Sequence, residues 1–186
     1  IRRPPSSTLD RSSAASDVYK RQLFTLWGEL REGGFATPNI GLLTDIICCP
    51  GGDFCSLANA KSIPIAESIQ RRFDDLDYLF DIGELDLNIS GCMNACGHHH
   101  VGHIGILGVD KKGEEFYQVS LGGSASRDAS LGKILGPSFA QEAMPEVIGK
   151  LIDVYIEQRT EDERFIDTYQ RIGIDLFKER VYAANH

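Results

Sequence analysis

The sequence predicts an α+β fold, with a mixed sheet at its centre and helices gathered at the C-terminal end. Three observations predict it. Apolar residues alternate with polar ones over 85–90, the period of a strand, and further strand-like runs follow at 104–109 and 116–121. Helical spacing of apolar residues precedes that stretch and returns beyond Pro137. No internal repeat imposes a solenoid or a strict βα alternation.

Residues 1–22, IRRPPSSTLDRSSAASDVYKRQ, are rich in Ser, Arg and Pro and have no apolar periodicity, so disorder is expected there. The SSAASDVYKRQ portion resembles a translated sequencing adapter, so the segment is read as non-native and left out of the fold reasoning. The chain is accordingly read as beginning partway through a longer protein. Its remainder divides into a cofactor-type domain over 23–137 and a helical segment over 138–186.

From Leu42 to Ile47 an apolar run predicts a buried strand that delivers the chain to Cys48 and Cys49. Pro64 marks a helix start, and Ile65, Ile69, Phe73, Leu76 and Phe80 continue a stripe that stops before Gly83. Leu85, Leu87 and Ile89 alternate with Asp86, Asn88 and Ser90, which predicts a half-buried strand running into Cys92. Ile104–Val109 and Phe116–Leu121 form a hairpin across Asp110-Lys111-Lys112-Gly113. Beyond Pro137, Ile148, Leu151, Ile152 and Tyr155 line one helical face. Thr160 with Glu163 makes a capping box for a second helix bearing Phe165, Tyr169, Ile172 and Leu176.

The formal net charge of the 186 residues is −8, which argues against nucleic acid or an anionic membrane as the main partner. Without the five basic and two acidic residues of 1–22, 14 basic and 25 acidic residues remain, a balance of −11. No apolar run approaches the roughly 20 residues of a spanning helix, and no signal-peptide pattern is present. Five cysteines, two of them adjacent, fit reduced thiols in the cytoplasm better than a disulfide framework.

Four of those cysteines carry the chemistry. Cys49 and Cys55 flank PGGDF, and Cys92 and Cys96 flank MNA, each pair following a predicted strand in a glycine-bearing turn. A [4Fe-4S] cube needs four thiolates converging on its four irons, and two loops giving two each can supply them. The cluster with four thiolates is anionic, so turns that bring backbone N–H groups to the sulfurs offset its burial. Structural zinc sites usually set paired ligands two to four residues apart, which the PGGDF gap exceeds. Buried structural thiols are the third reading. Cys48 is left over and faces away from Cys49 by the strand's period of two.

The segments CPGGDFCSLANA and ISGCMNACGHHHVGHIGILGVDKKGEEFYQVSLGG closely resemble the siroheme and [4Fe-4S] domain of the sulfite and nitrite reductase family. The resemblance runs from about Gly41 to Gly136. It implies that Cys49, Cys55, Cys92 and Cys96 hold the cluster, and that Cys96 also serves as the axial ligand of siroheme. It implies catalysis by a cytoplasmic assimilatory reductase: sulfite to sulfide, with nitrite to ammonia as the alternative. A protein electron donor, ferredoxin or a flavoprotein, and a small anion substrate follow. The basic residues that line the distal substrate face are expected upstream of this chain.

Further residues gain a role from the resemblance. Gly122 and Gly123 close a strand and let backbone approach the cofactor. Arg127 and Lys133 pair with siroheme carboxylates, or are solvated loop charges. Asn94 donates to a cluster sulfur, or stabilises its turn. His98, His99, His100 and His103 are read as packing and hydrogen bonding beside the cofactor, since Gly102 argues against the helix a His99–His103 metal pair would need. A zinc-stabilised structural module and an electron carrier lacking siroheme remain the readings from other classes.

Overall fold

The computed structural model describes residues 22–127 and 129–183. The expected disorder of 1–22 lies outside the described residues, except for Gln22, which is helical. The chain forms two units, 1–38 and 39–186. In the first, helix α1 covers residues 22–32 and closes with the Phe35 N–H on Leu30 O at 2.8 Å.

The second unit is built on a mixed five-stranded sheet, as the α+β prediction requires. Its strands β1 (Ile47–Cys48), β2 (Leu87–Ser90), β3 (Ile104–Lys111), β4 (Glu114–Leu121) and β5 (Lys133–Ile134) lie side by side in chain order. β1, β2 and β3 are parallel, while β4 and β5 are antiparallel to their preceding neighbours. Parallel neighbours need a crossover of about a dozen residues or more. Between β1 and β2 it is made by helices α2 (Gly51–Phe54), α3 (Ile63–Arg72) and α4 (Leu76–Ile82). Between β2 and β3 it is the loop 91–103, which contains one 3₁₀ turn, His99–Val101.

Several predicted elements are redrawn. The run Leu42–Ile47 is mostly a turn, because its polar members form local bonds: Asp45 accepts from the Gly41 N–H at 2.9 Å and Asn39 donates to Thr44 at 3.2 Å. Leu42 and Leu43 are buried all the same. The long helical stripe is two helices, since the Asp75 carboxylate caps α4 by accepting from the Asp77 and Tyr78 N–H groups. Phe73 stays buried, but the break turns Phe80 outward and Leu79 inward. The hairpin is longer than expected, with β3 and β4 paired out to Lys111 and Glu114.

β2 is buried on both faces rather than half-buried. Its polar members, Asn88 and Ser90, face the 91–103 crossover instead of water. Asn88 Nδ2 donates to His98 O at 3.0 Å, and Ser90 Oγ accepts from the Gly97 N–H at 3.1 Å.

The C-terminal helices are α5 (Met144–Gln158), α6 (Phe165–Ile172) and α7 (Asp175–Tyr182). Glu163 accepts the Thr160 N–H at 3.0 Å, one half of the expected capping box, though α6 begins only at Phe165. Gly173 divides the predicted second helix, which leaves Leu176 41 % exposed and buries Phe177 instead. Ile148, Leu151, Ile152, Phe165 and Phe177 join Ile65, Ile89, Ile106 and Val119 in one apolar cluster. Each such side chain contributes about 1.5–3 kcal/mol on burial.

Candidate metal-cluster site

Because β1 and β2 are parallel and adjacent, the chain leaves both strands at the same end of the sheet. Cys49 follows β1 and Cys92 follows β2, so the two cysteine pairs emerge side by side. Ligand sites in sheets with parallel strands lie at this carboxyl end. The Cys49 N–H still bonds Ile89 O at 3.1 Å, and the Gly91 N–H donates to Cys49 Sγ at 3.1 Å. One loop thus already offers a backbone donor to a sulfur of the other.

The first loop doubles back on the second. Gly91 O accepts from the Asn59 and Ala60 N–H groups at 2.8 and 3.1 Å, and Gly52 donates to Ala60 O at 2.9 Å. Cys55 lies at the C-terminal end of α2, its N–H on Gly51 O at 2.9 Å. The loop's far end is pinned by β4. Tyr117 donates its hydroxyl to Lys61 O at 2.8 Å, and the Lys61 N–H bonds Glu115 at 3.0 Å. Burial and Glu115 push the Tyr117 phenol well above its usual range, so it remains a donor at neutral pH.

The second loop depends on a close approach. A Cβ at Gly97 would lie 1.9 Å from Ile89 O, so only glycine lets the chain cross over β2 there. Ala95 and His98 hold left-handed backbone at φ 57° and 53°, one on each side of Cys96 and Gly97. Cys92 is buried beneath the turn, Cys49 and Cys55 are half-buried, and Cys96 is exposed at its tip. Cys48 points into the apolar cluster, donates to Cys49 O at 3.2 Å, and has its thiol pushed up to about 11 by burial. It is a protonated packing residue beside the site.

A mononuclear zinc draws its donors to about 2.0–2.3 Å from one point. Among the described residues no group of three or more His, Cys, Asp or Glu side chains is so arranged. Two adjacent loops that each carry a cysteine pair, with the Gly91 N–H on Cys49 Sγ, fit the donor set a four-iron cluster requires.

The remaining predicted residues lie around this frame. Asn94 is exposed in the turn between Cys92 and Cys96. Gly122, at φ 84°, faces the ring of Tyr169, which a Cβ would meet at 2.0 Å. Gly123 packs on the backbone of the 3₁₀ turn, with a Cβ position 2.5 Å from His100 O. Both glycines therefore make room for other parts of this chain. Arg127 and Lys133 are exposed, in the loop after β4 and on β5.

The histidines divide by burial. His103 accepts the Asp86 N–H on Nδ1 at 3.1 Å and stacks on Phe165, which anchors the start of β3. Its pKa is lowered by burial, against the opposing pull of Asp86. His99 is 3 % exposed, and burial and His100 lower it to about 4. Its Nδ1 has no hydrogen-bond partner, and the ring lines a cavity of about 160 Å³ with His100, Gln118, Ser120 and Ile134. A separate cavity of about 470 Å³ beside α4 and α5 holds none of the cysteines, and its Arg159 and Glu163 are paired with Asp81 and Arg171.

Sequence reasoning missed Asn88 and Ser90 as supports of the second loop, because their alternation looks like a wet strand face. It also missed Ser62, which precedes Pro64 and reads as an ordinary helix cap.

Parallel strand ends that present two glycine-flanked cysteine pairs define a metal-cluster domain of the iron–sulfur type. Residues 42–185 match the family described as the nitrite and sulphite reductase 4Fe-4S domain, and the chain belongs to that family. A sulfite reductase [ferredoxin] of Mycobacterium tuberculosis is 29 % identical over 131 residues, which is 65 % of this chain and 23 % of that protein. A ferredoxin–nitrite reductase of Synechococcus elongatus is 28 % identical over 159 residues, 78 % of this chain and 29 % of the relative. The solved structure of the Mycobacterium tuberculosis NirA protein superposes with a TM-score of 0.70 at 26 % identity, covering 84 % of this chain and 30 % of that one. The chain thus spans about a quarter of the length of the curated relatives it matches. The cofactors that membership implies are the [4Fe-4S] cluster and the siroheme coupled to it.

Proposed function

We propose that this chain supplies the cluster-bearing side of a sulfite reductase, with Cys49, Cys55, Cys92 and Cys96 as the four cluster thiolates. The observation that carries the reading is the pairing of two cysteine loops at the carboxyl ends of β1 and β2, joined by the Gly91 N–H on Cys49 Sγ. When bound, siroheme supplies an iron at which a small anion is reduced, and the cluster passes electrons to it. The chain's own residues hold the thiolates, direct the Gly91 N–H at Cys49 Sγ and keep Cys96 at an exposed tip, where its sulfur is free to meet a second metal. Gly122, Gly123, Arg127, Lys133 and Asn94 are proposed to border the macrocycle. Arg127 and Lys133 would meet its carboxylates from the loop and strand after β4.

The domain division at 137/138, a cytoplasmic setting and an electron-donor protein belong to the same reading. The named relatives point to ferredoxin as the donor. Among the described residues no helix is long and apolar enough to cross a membrane.

The test is metal and colour. Iron and acid-labile sulfide with strong visible absorption support the siroheme–cluster reading. A brown protein with cluster alone points to an electron carrier, and colourless protein with zinc to a structural module. Steady-state rates for sulfite and nitrite in the full-length reductase then decide the substrate. A clearly higher kcat/KM for nitrite would reverse the assignment.

A further inference from the structure

Ser62 stands at the N-cap of α3, where a serine hydroxyl ordinarily accepts from a helix N–H, yet its side chain makes no capping bond. It is fully buried. Its hydroxyl lies 3.5 Å from Cys49 Sγ, and no other side-chain hydrogen bond of Ser62 is found among the described residues. The residue is wedged between the two cysteine loops. A Cβ on Gly51 would meet the Ser62 N at 2.4 Å, and one on Gly91 would meet its Oγ at 3.0 Å. A buried hydroxyl gives up water only against a compensating bond. Here Pro64, which has no N–H, takes the second helical position while Ser62 itself has αR backbone, so no ordinary cap draws the hydroxyl. The hydroxyl turns to sulfur instead.

We infer that Ser62 is a positioning residue for the cluster, whose hydroxyl donates to Cys49 Sγ and favours the reduced state. The inference rests on the reading of Cys49 as a cluster ligand. A thiolate bound to iron has no proton to give, so in the loaded protein the donor must be Ser62. With the Gly91 N–H, Cys49 Sγ then receives two donors, one from each side of the loop junction. Reduction adds one electron and makes the cluster more negative. Donors to sulfur stabilise that form more than the oxidised one, so the bond raises the reduction potential. Removing it lowers the potential.

The test uses the 186-residue chain reconstituted with iron and sulfide, with cluster content measured before potential. The unsubstituted chain, Ser62→Ala, Ser62→Thr and Ser62→Val are compared by redox titration followed by electron paramagnetic resonance. Thr and Val share a shape and differ in the hydroxyl, so their comparison decides the matter even if the alanine variant folds poorly. The expected result is a roughly tenfold lower reduced-to-oxidised ratio in the valine than in the threonine variant at fixed poise. For one electron that is about 59 mV towards negative potential. Ser62→Ala is expected to move the same way, and Ser62→Thr to stay near the parent. Equal potentials in the threonine and valine variants, both with full cluster content, would overturn the role of the hydroxyl. Absence of iron and sulfide from the unsubstituted chain would instead overturn the ligand assignment beneath it.

Discussion

At the scale of single residues, the five cysteines divide by direction. Cys49, Cys55, Cys92 and Cys96 lie in the two facing loops, whereas Cys48 turns to the apolar cluster with a thiol held protonated by burial. Serine at any of the four is expected to abolish cluster assembly, while Cys48→Ala leaves iron and acid-labile sulfide near parental amounts. Retention in Cys49→Ala with loss in Cys48→Ala would invert the register. His99 makes a second prediction. Its folded pKa of about 4 lies below the ordinary 6.5, so burial of the neutral ring contributes stability at neutral pH. That contribution is intact above about pH 6.5 and is lost as pH falls through 4, about 3 kcal/mol in all. Urea midpoints between pH 7 and 4 should fall less steeply in His99→Gln than in the parent. The two cysteine pairs were legible in the sequence as spacing, and the parallel pairing of β1 with β2 brings them to one end of the sheet. The burial of His99 was not legible, since a run of three histidines gives no sign of which one turns inward.

At the scale of elements, caps and close approaches decide where the chain turns. The Asp75 cap ends what looks in sequence like one helical stripe from Ile65 to Phe80, and Gly173 does the same farther on. Asp75→Ala is expected to cost about 1 kcal/mol, read from denaturant melts. Gly97→Ala is far more severe, because its Cβ would collide with Ile89 O. A loss of about 3 kcal/mol or more is expected, together with failure of the second loop to seat Cys96. Full iron content in Gly97→Ala would show that the crossover has more room than its geometry allows. Helices, hairpin and the C-terminal apolar faces were readable from periodicity, but their breaks were not. The breaks depend on which carboxylate reaches which N–H, and periodicity carries no such information. β2 shows the same limit in reverse: its alternation is real, but the polar side faces a loop instead of water.

At the scale of the whole molecule, charge and coverage point the same way. Residues 23–186 hold 14 basic and 25 acidic residues, while siroheme is polycarboxylate and the proposed substrate is an anion. On the proposed reading, the cationic lining that such a site needs is expected from other chain segments. By itself this chain is therefore expected to turn over sulfite far more slowly than the full-length reductase, even when reconstituted with iron, sulfide and siroheme. Turnover within about tenfold, a barrier difference of only about 1.4 kcal/mol, would place the distal machinery here after all. Phe54, Leu57 and Met93 are exposed in the cysteine loops, so the isolated chain should also self-associate, which light scattering would register.

The parallel pairing of β1 with β2 also sets a timetable. Cys49 and its donor Gly91 are 42 residues apart in the chain. At roughly 5–20 residues per second of synthesis, Cys49 leaves the ribosome about 2–8 s before the loop that will face it, with Cys55 close behind. Throughout that interval they are unpaired nucleophiles on an unfinished polypeptide, open to oxidation and to stray metals. On the proposed ligand assignment, loading of the cluster has to wait until translation has passed Cys96, and a pause upstream of β2 would lengthen the dangerous interval without touching a single residue of the finished site.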